Sequence, residues 1–354
     1  MRQSLWMAVP MMTRASINSE RLRKIVAAFA KTTVTVLGDM VADEFVLGEI
    51  SRVSREAPVL ILRHRQRDVV PGGGANAVNN LADLGVNVRP VGIVGNDDCG
   101  RLLVRSFRRK KIPTTAILTE MNRPTVTKTR ILAGMPHTWR QQVVRIDREP
   151  ESPLDRGVER ELARAARTLL NVSSALLVSD YGYGAATPWL LAALRRHFSR
   201  NLPVVVDSRH RLLRFSGVTA ATPNEAEVEE ALGIHIGQDW RRLCAAGREI
   251  LSRMHLTSLV ITRGRDGMVA FERKRRPVDI PIFGSDQVTD VTGAGDTVIA
   301  TFTAALGAGA SAEEAAHLAN YAGGIVVMKR GTATVSREEL LAVIDEAPPR
   351  TRLH

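Results

Sequence analysis

Thr289-Asp-Val-Thr-Gly-Ala-Gly-Asp-Thr-Val-Ile-Ala-Thr301 sets two glycines and an acid directly before a run that reads as a helix. The first N–H groups of a helix have no intrahelical partner and carry the positive end of its dipole. Gly293, Ala294 and Gly295 can therefore offer backbone donors to an anion at short range. Small residues there keep side chains out of the anion's way. Asp296 breaks the pattern, because a carboxylate repels phosphate. Beside an anion hole it fits a general base that takes the proton of an attacking hydroxyl. An ordinary helix start, with Asp296 complementing the dipole, accounts for the same residues.

Upstream, strands and helices alternate as in a doubly wound α/β sheet. The segments are Ala175-Leu-Leu-Val-Ser179, a helix from about Pro188, Val204-Val-Val-Asp207, residues 218–222 and Ser258-Leu-Val-Ile-Thr262. Asp180-Tyr-Gly-Tyr-Gly184 and Thr222-Pro-Asn-Glu-Ala-Glu227 follow two of these strands. Asn224 and Glu227, one helical turn apart, have two readings. They can orient magnesium-bound waters, since Mg²⁺ keeps most of its hydration, or they can form a helix capping box. Thr262, Gly264 and Gly267 shape a glycine turn. With a helix over 312–329 it would surround a nucleotide beside residue 293, Asn320 and Gly323 lining the base pocket. Helix packing through small residues reads the last two as well.

Toward the N-terminus, residues 19–30 have a capping Ser19 and apolar positions 22, 25, 26 and 29, which predicts an amphipathic helix. Strand 34–38 then runs into Asp39 and Asp43, acids just beyond a strand's C-terminal end, where open α/β sheets bind ligands. Asp39 also reads as a turn former. Residues 44–70 and 123–147 alternate without helical period and predict a small antiparallel sheet forming a lid. Between them Gly72-Gly-Gly-Ala-Asn-Ala77 enters a helix. Gly73 and Gly74 allow close backbone approach to a ligand, and Asn76 can both donate to and accept from sugar hydroxyls. On the lid, Lys128 and Arg130 point to one face and Arg145 lies on the neighbouring strand. They suit a distal phosphate on the substrate, or are solvated charges.

Lys and Arg outnumber Asp and Glu by 49 to 37, a net charge of +12 that favours anionic partners. The basic clusters at 63–67, 105–111, 195–214 and 273–276 are scattered, and aromatics are only 4% of the chain. A nucleic-acid stripe or stacking platform is therefore not expected. No apolar run approaches a membrane span. Two cysteines, Cys99 and Cys244, argue against a disulfide framework and suit the reducing cytoplasm. Residues 1–18 read as a disordered tail, 19–346 as one domain and 347–354 as a second tail. Open lid edges favour a homodimer.

The 289–301 stretch resembles the second signature of the PfkB/ribokinase family of carbohydrate kinases, with Thr301 where a smaller residue is usual. Pro71-Gly-Gly-Gly-Ala-Asn76, with Gly85 and Gly95, resembles the first, Val78 departing from it. Within the family the likeness is greatest to kinases acting at O1 of D-glycero-β-D-manno-heptose 7-phosphate. It is carried by residues 38–43, Ser51-Arg-Val-Ser-Arg-Glu-Ala-Pro-Val59, Thr127-Lys-Thr-Arg130, Val144-Arg-Ile-Asp147 and Ser179-Asp-Tyr181. The resemblance implies a ribokinase-like doubly wound sheet with helices on both faces and a β lid. It also implies ATP and Mg²⁺, a sugar phosphate as substrate, Asp296 as base, and Asn224 and Glu227 near the ATP phosphates. Tyr183, Asp207-Ser-Arg209 and a lid hairpin lengthened over 134–140 depart from that branch. A PfkB kinase for ribose or a fructose phosphate, and a non-catalytic basic nucleic-acid-binding protein, are the alternatives.

Overall fold

The structure is a computed structural model that describes residues 17–134, 141–284, 290–329 and 331–352. Most of tail 1–18 and the hairpin 135–140 therefore lie outside the described residues. Helix α1 (Ser19–Ala28) is capped by Asn18, whose side chain accepts from Arg21 N–H at 2.7 Å, rather than by Ser19. Its last turn tightens into a 3₁₀ turn over Phe29–Lys31.

The chain continues through β1 (Thr33–Gly38), β2 (Met40–Val53), β3 (Leu60–Gly73), α2 (Gly74–Asp83), β4 (Asn87–Gly95), α3 (Asp98–Arg109), β5 (Ile117–Glu120), β6 (Thr127–Gly134) and β7 (Gln141–Arg148). Next come α4 (Arg156–Leu170), β8 (Ala175–Asp180), α5 (Pro188–Leu194), β9 (Val204–Ser208), β10 (Ala220–Ala221), α6 (Glu225–Leu232), α7 (Trp240–Arg253) and β11 (Ser258–Thr262). Strands β12 (Met268–Glu272) and β13 (Val278–Ile280) precede α8 (Ala294–Gly307), α9 (Ala312–Val327) and α10 (Arg337–Glu346).

The core sheet runs β13-β12-β11-β10-β9-β8-β1-β4-β5, all strands in one direction except β12, which pairs antiparallel with both β11 and β13. Successive strand residues face opposite sides, and here both sides are buried. Val34 and Val36 of β1 and Leu177 of β8 pack into one apolar layer with α1, α2, α8 and α9. Leu37, Leu176 and Val178 pack into the other with α4, α5 and α7. Thr301 lies wholly buried in α8, its hydroxyl without a hydrogen-bond partner among the described residues.

The lid is a second sheet, ordered β3-β2-β6-β7. It is not wholly antiparallel as predicted: β2 and β6 pair in parallel, Ala42 opposite Thr127 through Glu49 opposite Gly134. Both strands leave the core at its ligand end and run outward, which forces that direction. The lid strands are also longer than the alternation suggested, so Asp43 and Gly73 lie inside them.

The basic residues 273–276 turn the chain from β12 to β13 at the sheet end opposite the C-termini of the parallel strands. Arg273 holds the backbone there, its Nε donating to Leu256 O at 2.6 Å. Neutralising Lys274, Arg275 and Arg276 while keeping Arg273 should leave turnover within experimental error of wild type in a steady-state assay. A large rate loss would contradict this placement of the site.

Candidate active site

The site is built around the first turn of α8. Gly293 takes the left-handed conformation at φ +80°, and a Cβ there would stand 2.5 Å from Asn76 Nδ2. A Cβ at Gly295 would meet nothing within 4 Å, so this residue borders open space in front of the helix. Ala294 N–H is turned to Val291 O at 3.2 Å, whereas the N–H groups of Gly295 and Asp296 stand in the first turn of α8, where no intrahelical acceptor is available. Asp296 follows one residue later and is only 3% exposed. Asn76 Nδ2 donates to its Oδ2 at 3.0 Å, and Tyr181 Oη donates to its Oδ1 at 2.8 Å.

Burial pushes the Asp296 carboxyl up to about 7; the hydrogen bonds from Asn76 and Tyr181 pull it down, Asp43 raises it and Lys128 lowers it. An acid balanced there is partly ionised at neutral pH, as a base must be.

The lid supplies the facing groups. Asp43 pairs with Arg130 Nη1 at 2.6 Å, both side chains nearly buried. Lys128 is 8% exposed, with Nζ 5.3 Å from the Tyr181 ring centroid. Burial, and the nearby Arg209 and Arg145, press its pKa down. Arg145 is on the outer lid strand and pairs with Asp147 of the same strand. Gly73 and Gly74 are needed for packing at the cleft floor: added Cβ atoms would crowd Val41 and the Tyr181 ring, or Asp39 O at 2.9 Å.

Asp39 has the turn-forming role. Its carboxylate accepts from the N–H groups of Tyr181, Tyr183 and Ala185 at 2.9, 3.0 and 2.9 Å. Burial, with Asp180 next, raises it to about 6, and those three hydrogen bonds oppose the rise. It anchors the loop carrying Tyr181 and is only 2% exposed. Tyr181 itself belongs to the Ser179-Asp-Tyr181 motif, but nothing local in the sequence marks it as a site residue.

On the opposite side Asn224 and Glu227 form the reciprocal capping box of α6, both hydrogen bonds at 2.9 Å. Burial raises the Glu227 carboxyl. Burial, then Glu227 and Asp296, push Asp207 well above the ordinary carboxylate range, and Arg209 opposes them. Asp207, the residue that the Asp207-Ser-Arg209 block shares with the usual pattern, was not singled out in the sequence. Thr262 bridges to Asn224, and Gly264 turns at φ +53° into open space. Gly267 is structural: a Cβ would strike Ile280 O at 2.1 Å. The Asn320 amide donates to Pro281 O at 2.9 Å, and a Cβ at Gly323 would stand 3.1 Å from Val298. Both lie at contacts of α9 with its neighbours.

A parallel-sheet cleft with a helix N-terminus, a buried acid and a cationic lid defines a phosphotransferase-like site. Residues 31–339 match the pfkB family of carbohydrate kinases, and the chain belongs to that family of sugar kinases. The bifunctional protein HldE of Geobacter metallireducens is 41% identical over 308 residues, covering 86% of this chain and 61% of that protein. The chain thus spans about three fifths of that relative's length. Arabidopsis thaliana ribokinase, solved with ribose and ATP, superposes with a TM-score of 0.68 at 19% identity, covering 88% of this chain and 98% of that one. Escherichia coli phosphofructokinase-2 gives 0.73 at 18%, with 89% and 99% covered. The fold is ribokinase-like.

Gly295→Val fills the open space before α8, and should abolish most turnover while sugar binding by calorimetry survives; loss of both would mean misfolding. A second expected outcome concerns stability. Folded Asp296 keeps its proton up to about 7, whereas an unfolded aspartate loses it near its ordinary, lower value. The native state therefore binds more protons between those values, and this residue's contribution to stability falls as pH rises. Asp296→Asn should melt above wild type at about pH 8, the gap closing toward about pH 4. An equal gap at both would contradict the raised proton affinity.

Proposed function

We propose that this domain transfers the γ-phosphoryl group of ATP to O1 of D-glycero-β-D-manno-heptose 7-phosphate, with Asp296 as general base. The observation that carries the chemistry is Asp296 itself, nearly buried, gripped by Asn76 and Tyr181, and one residue from the open space at Gly295. A sugar hydroxyl entering between lid and α8 gives its proton to Asp296 as it attacks. The N–H groups of Gly295 and Asp296 hold the phosphoryl oxygens where charge accumulates.

The open space before Gly295 fits a phosphate chain, and Thr262, Gly264, Asn224 and Glu227 border the side on which the rest of ATP would lie. Bound Mg²⁺ would neutralise charge on the phosphates, with Asn224 and Glu227 holding it through water. Among the described residues no three His, Cys, Asp or Glu side chains converge on a metal position. That donor set suits an ion bound largely by its own waters and by phosphate.

The choice of a phosphorylated sugar rests on the lid. Lys128 is a nearly buried cation facing the cleft, and Arg145 lies close enough to lower its pKa. A distal phosphate would meet them when the lid closes. The seven-carbon sugar rests on the Ser51–Val59 block and the other lid motifs. Strand β7 is exposed along its whole length and carries Val143, Val144 and Ile146 at the surface, which supports the expected homodimer through the lid.

Asp296→Asn should lower kcat by about a hundredfold or more, the scale of a positioned base, with ATP binding retained. In the wild type the rate should rise with pH through about 7, as the base ionises. Heptose 7-phosphate should exceed unphosphorylated heptose, ribose and fructose phosphates in kcat/KM. A tenfold preference for ribose or a fructose phosphate would overturn the heptose assignment and leave the sugar kinase.

A further inference from the structure

Behind Asp296, the contact between α2 and α8 contains a polar chain in an otherwise apolar interface. Asn76, Asn80 and Thr297 are wholly buried, or nearly so, beside Ala75, Ala77, Val78, Leu81, Ile299 and Phe302. Thr297 Oγ1 donates to Asn80 Oδ1 at 3.0 Å. Asn80 Nδ2 donates to Asn76 O at 3.0 Å and to Asn76 Oδ1 at 3.1 Å. Asn76 Nδ2 in turn donates to Gly293 O at 3.4 Å and to Asp296 Oδ2 at 3.0 Å.

The direction of this chain is fixed by groups that cannot reverse. A backbone carbonyl only accepts, so Asn76 O requires the amino end of Asn80. That leaves Asn80 Oδ1 to accept from Thr297, and requires Asn76 to offer Oδ1 toward Asn80. The amino end of Asn76 is then turned toward Gly293 O and Asp296, both acceptors. Flipping the Asn76 amide would set two donors face to face at Asn80 and crowd its oxygen against two acceptors at α8. Each such mismatch is costly in a buried site, because no water replaces the hydrogen bond that is lost. Asn76 and Asn80 are four residues apart on one face of α2, and Asp296 and Thr297 are neighbours on α8. The chain therefore leaves α8 at Thr297 and returns to it at Asp296.

Packing alone does not call for this arrangement. A leucine at position 80 would fill similar volume without two polar ends to satisfy. We propose that Asn80 and Thr297 are positioning residues: they fix which end of the Asn76 amide faces Asp296, so that the carboxylate always meets a donor. The inference rests on the reading of Asp296 as the base. A donor to the ionised carboxylate favours the charged form and opposes the rise that burial imposes. The other groups acting on Asp296 are Asp43 from β2, Lys128 from β6 and Tyr181 after β8, and Asp296 in turn acts on Asp207 of β9. None hydrogen-bonds to Asn80 or Thr297. The Thr297 hydroxyl also reaches Gly293 O at 3.2 Å, the carbonyl that takes the Asn76 amide, so Asn80 is the cleaner probe of the Asn76 end.

The test is the pH dependence of kcat/KM for Asn80→Leu, Thr297→Val and Thr297→Ser, with melting temperatures and Asp296→Asn run in parallel. Asn80→Leu should move the acidic limb to higher pH by about half a unit to one unit. The loss is then about three- to tenfold at acid and neutral pH, and the curves converge with wild type at alkaline pH. Thr297→Val should shift the same way by less, and Thr297→Ser, which keeps the hydroxyl, should restore the limb. A loss uniform in pH, or unmoved limbs, would overturn the positioning role. If Asn80→Leu does not fold, the Thr297 pair decides on the same criterion. Wild-type turnover in Asp296→Asn would remove the base and this inference with it. An inactive Asp296→Asn beside unmoved limbs would remove the inference alone.

Discussion

The hydrogen bonds from Asn76 and Tyr181 to the buried carboxylate of Asp296 are the constraint on which the rest of the site depends. Unaided, burial would hold this acid protonated at neutral pH, and a protonated carboxyl takes no proton. The two donors arrive from different parts of the chain, α2 and the loop after β8. The helix that carries Asp296 also supplies the anion donors. Packing of α2 against α8 therefore sets how far Asp296 stands from both the amide and the open space at Gly295.

The lid is rooted by charge at the same place. Asp43 and Arg130 pair where β2 and β6 leave the core, and Glu44 takes Arg67 Nε at 2.5 Å and the Thr129 hydroxyl. Arg67 also reaches Asp98 on α3 at 2.5 Å. The exposed Arg67–Asp98 pair is worth little, whereas Glu44 is buried. The Asp43–Arg130 pair is shielded from water on both sides, and its loss would leave an uncompensated buried charge. Farther out β7 is exposed on all its residues. The lid is thus tied at its base and exposed along its edge strand.

Much of this was legible in the chain. The Gly293–Asp296 turn, the parallel strands with their double-sided apolar runs, and the lid strands follow from local pattern. What local pattern could not supply came from long-range partners. Asp39 read both as a ligand group and as a turn former because it follows a strand; its three N–H donors from residues 181–185, which make it an anchor, lie far along the chain. Tyr181 gains its role from Asp296, 115 residues away. The parallel pairing of β2 and β6 depends on where β6 re-enters the lid. The capping box at Asn224 and Glu227 was readable because both partners lie three residues apart, but spacing alone does not reveal whether Glu227 also serves an ion.

The most direct test of the central claim is a crystal structure with heptose 7-phosphate and a non-hydrolysable ATP analogue. The account predicts the sugar's anomeric hydroxyl within about 3 Å of an Asp296 oxygen, the γ-phosphate against the N–H groups of Gly295 and Asp296, and the 7-phosphate beside Lys128. A γ-phosphate bound away from the first turn of α8, or a sugar with no hydroxyl facing Asp296, would contradict it.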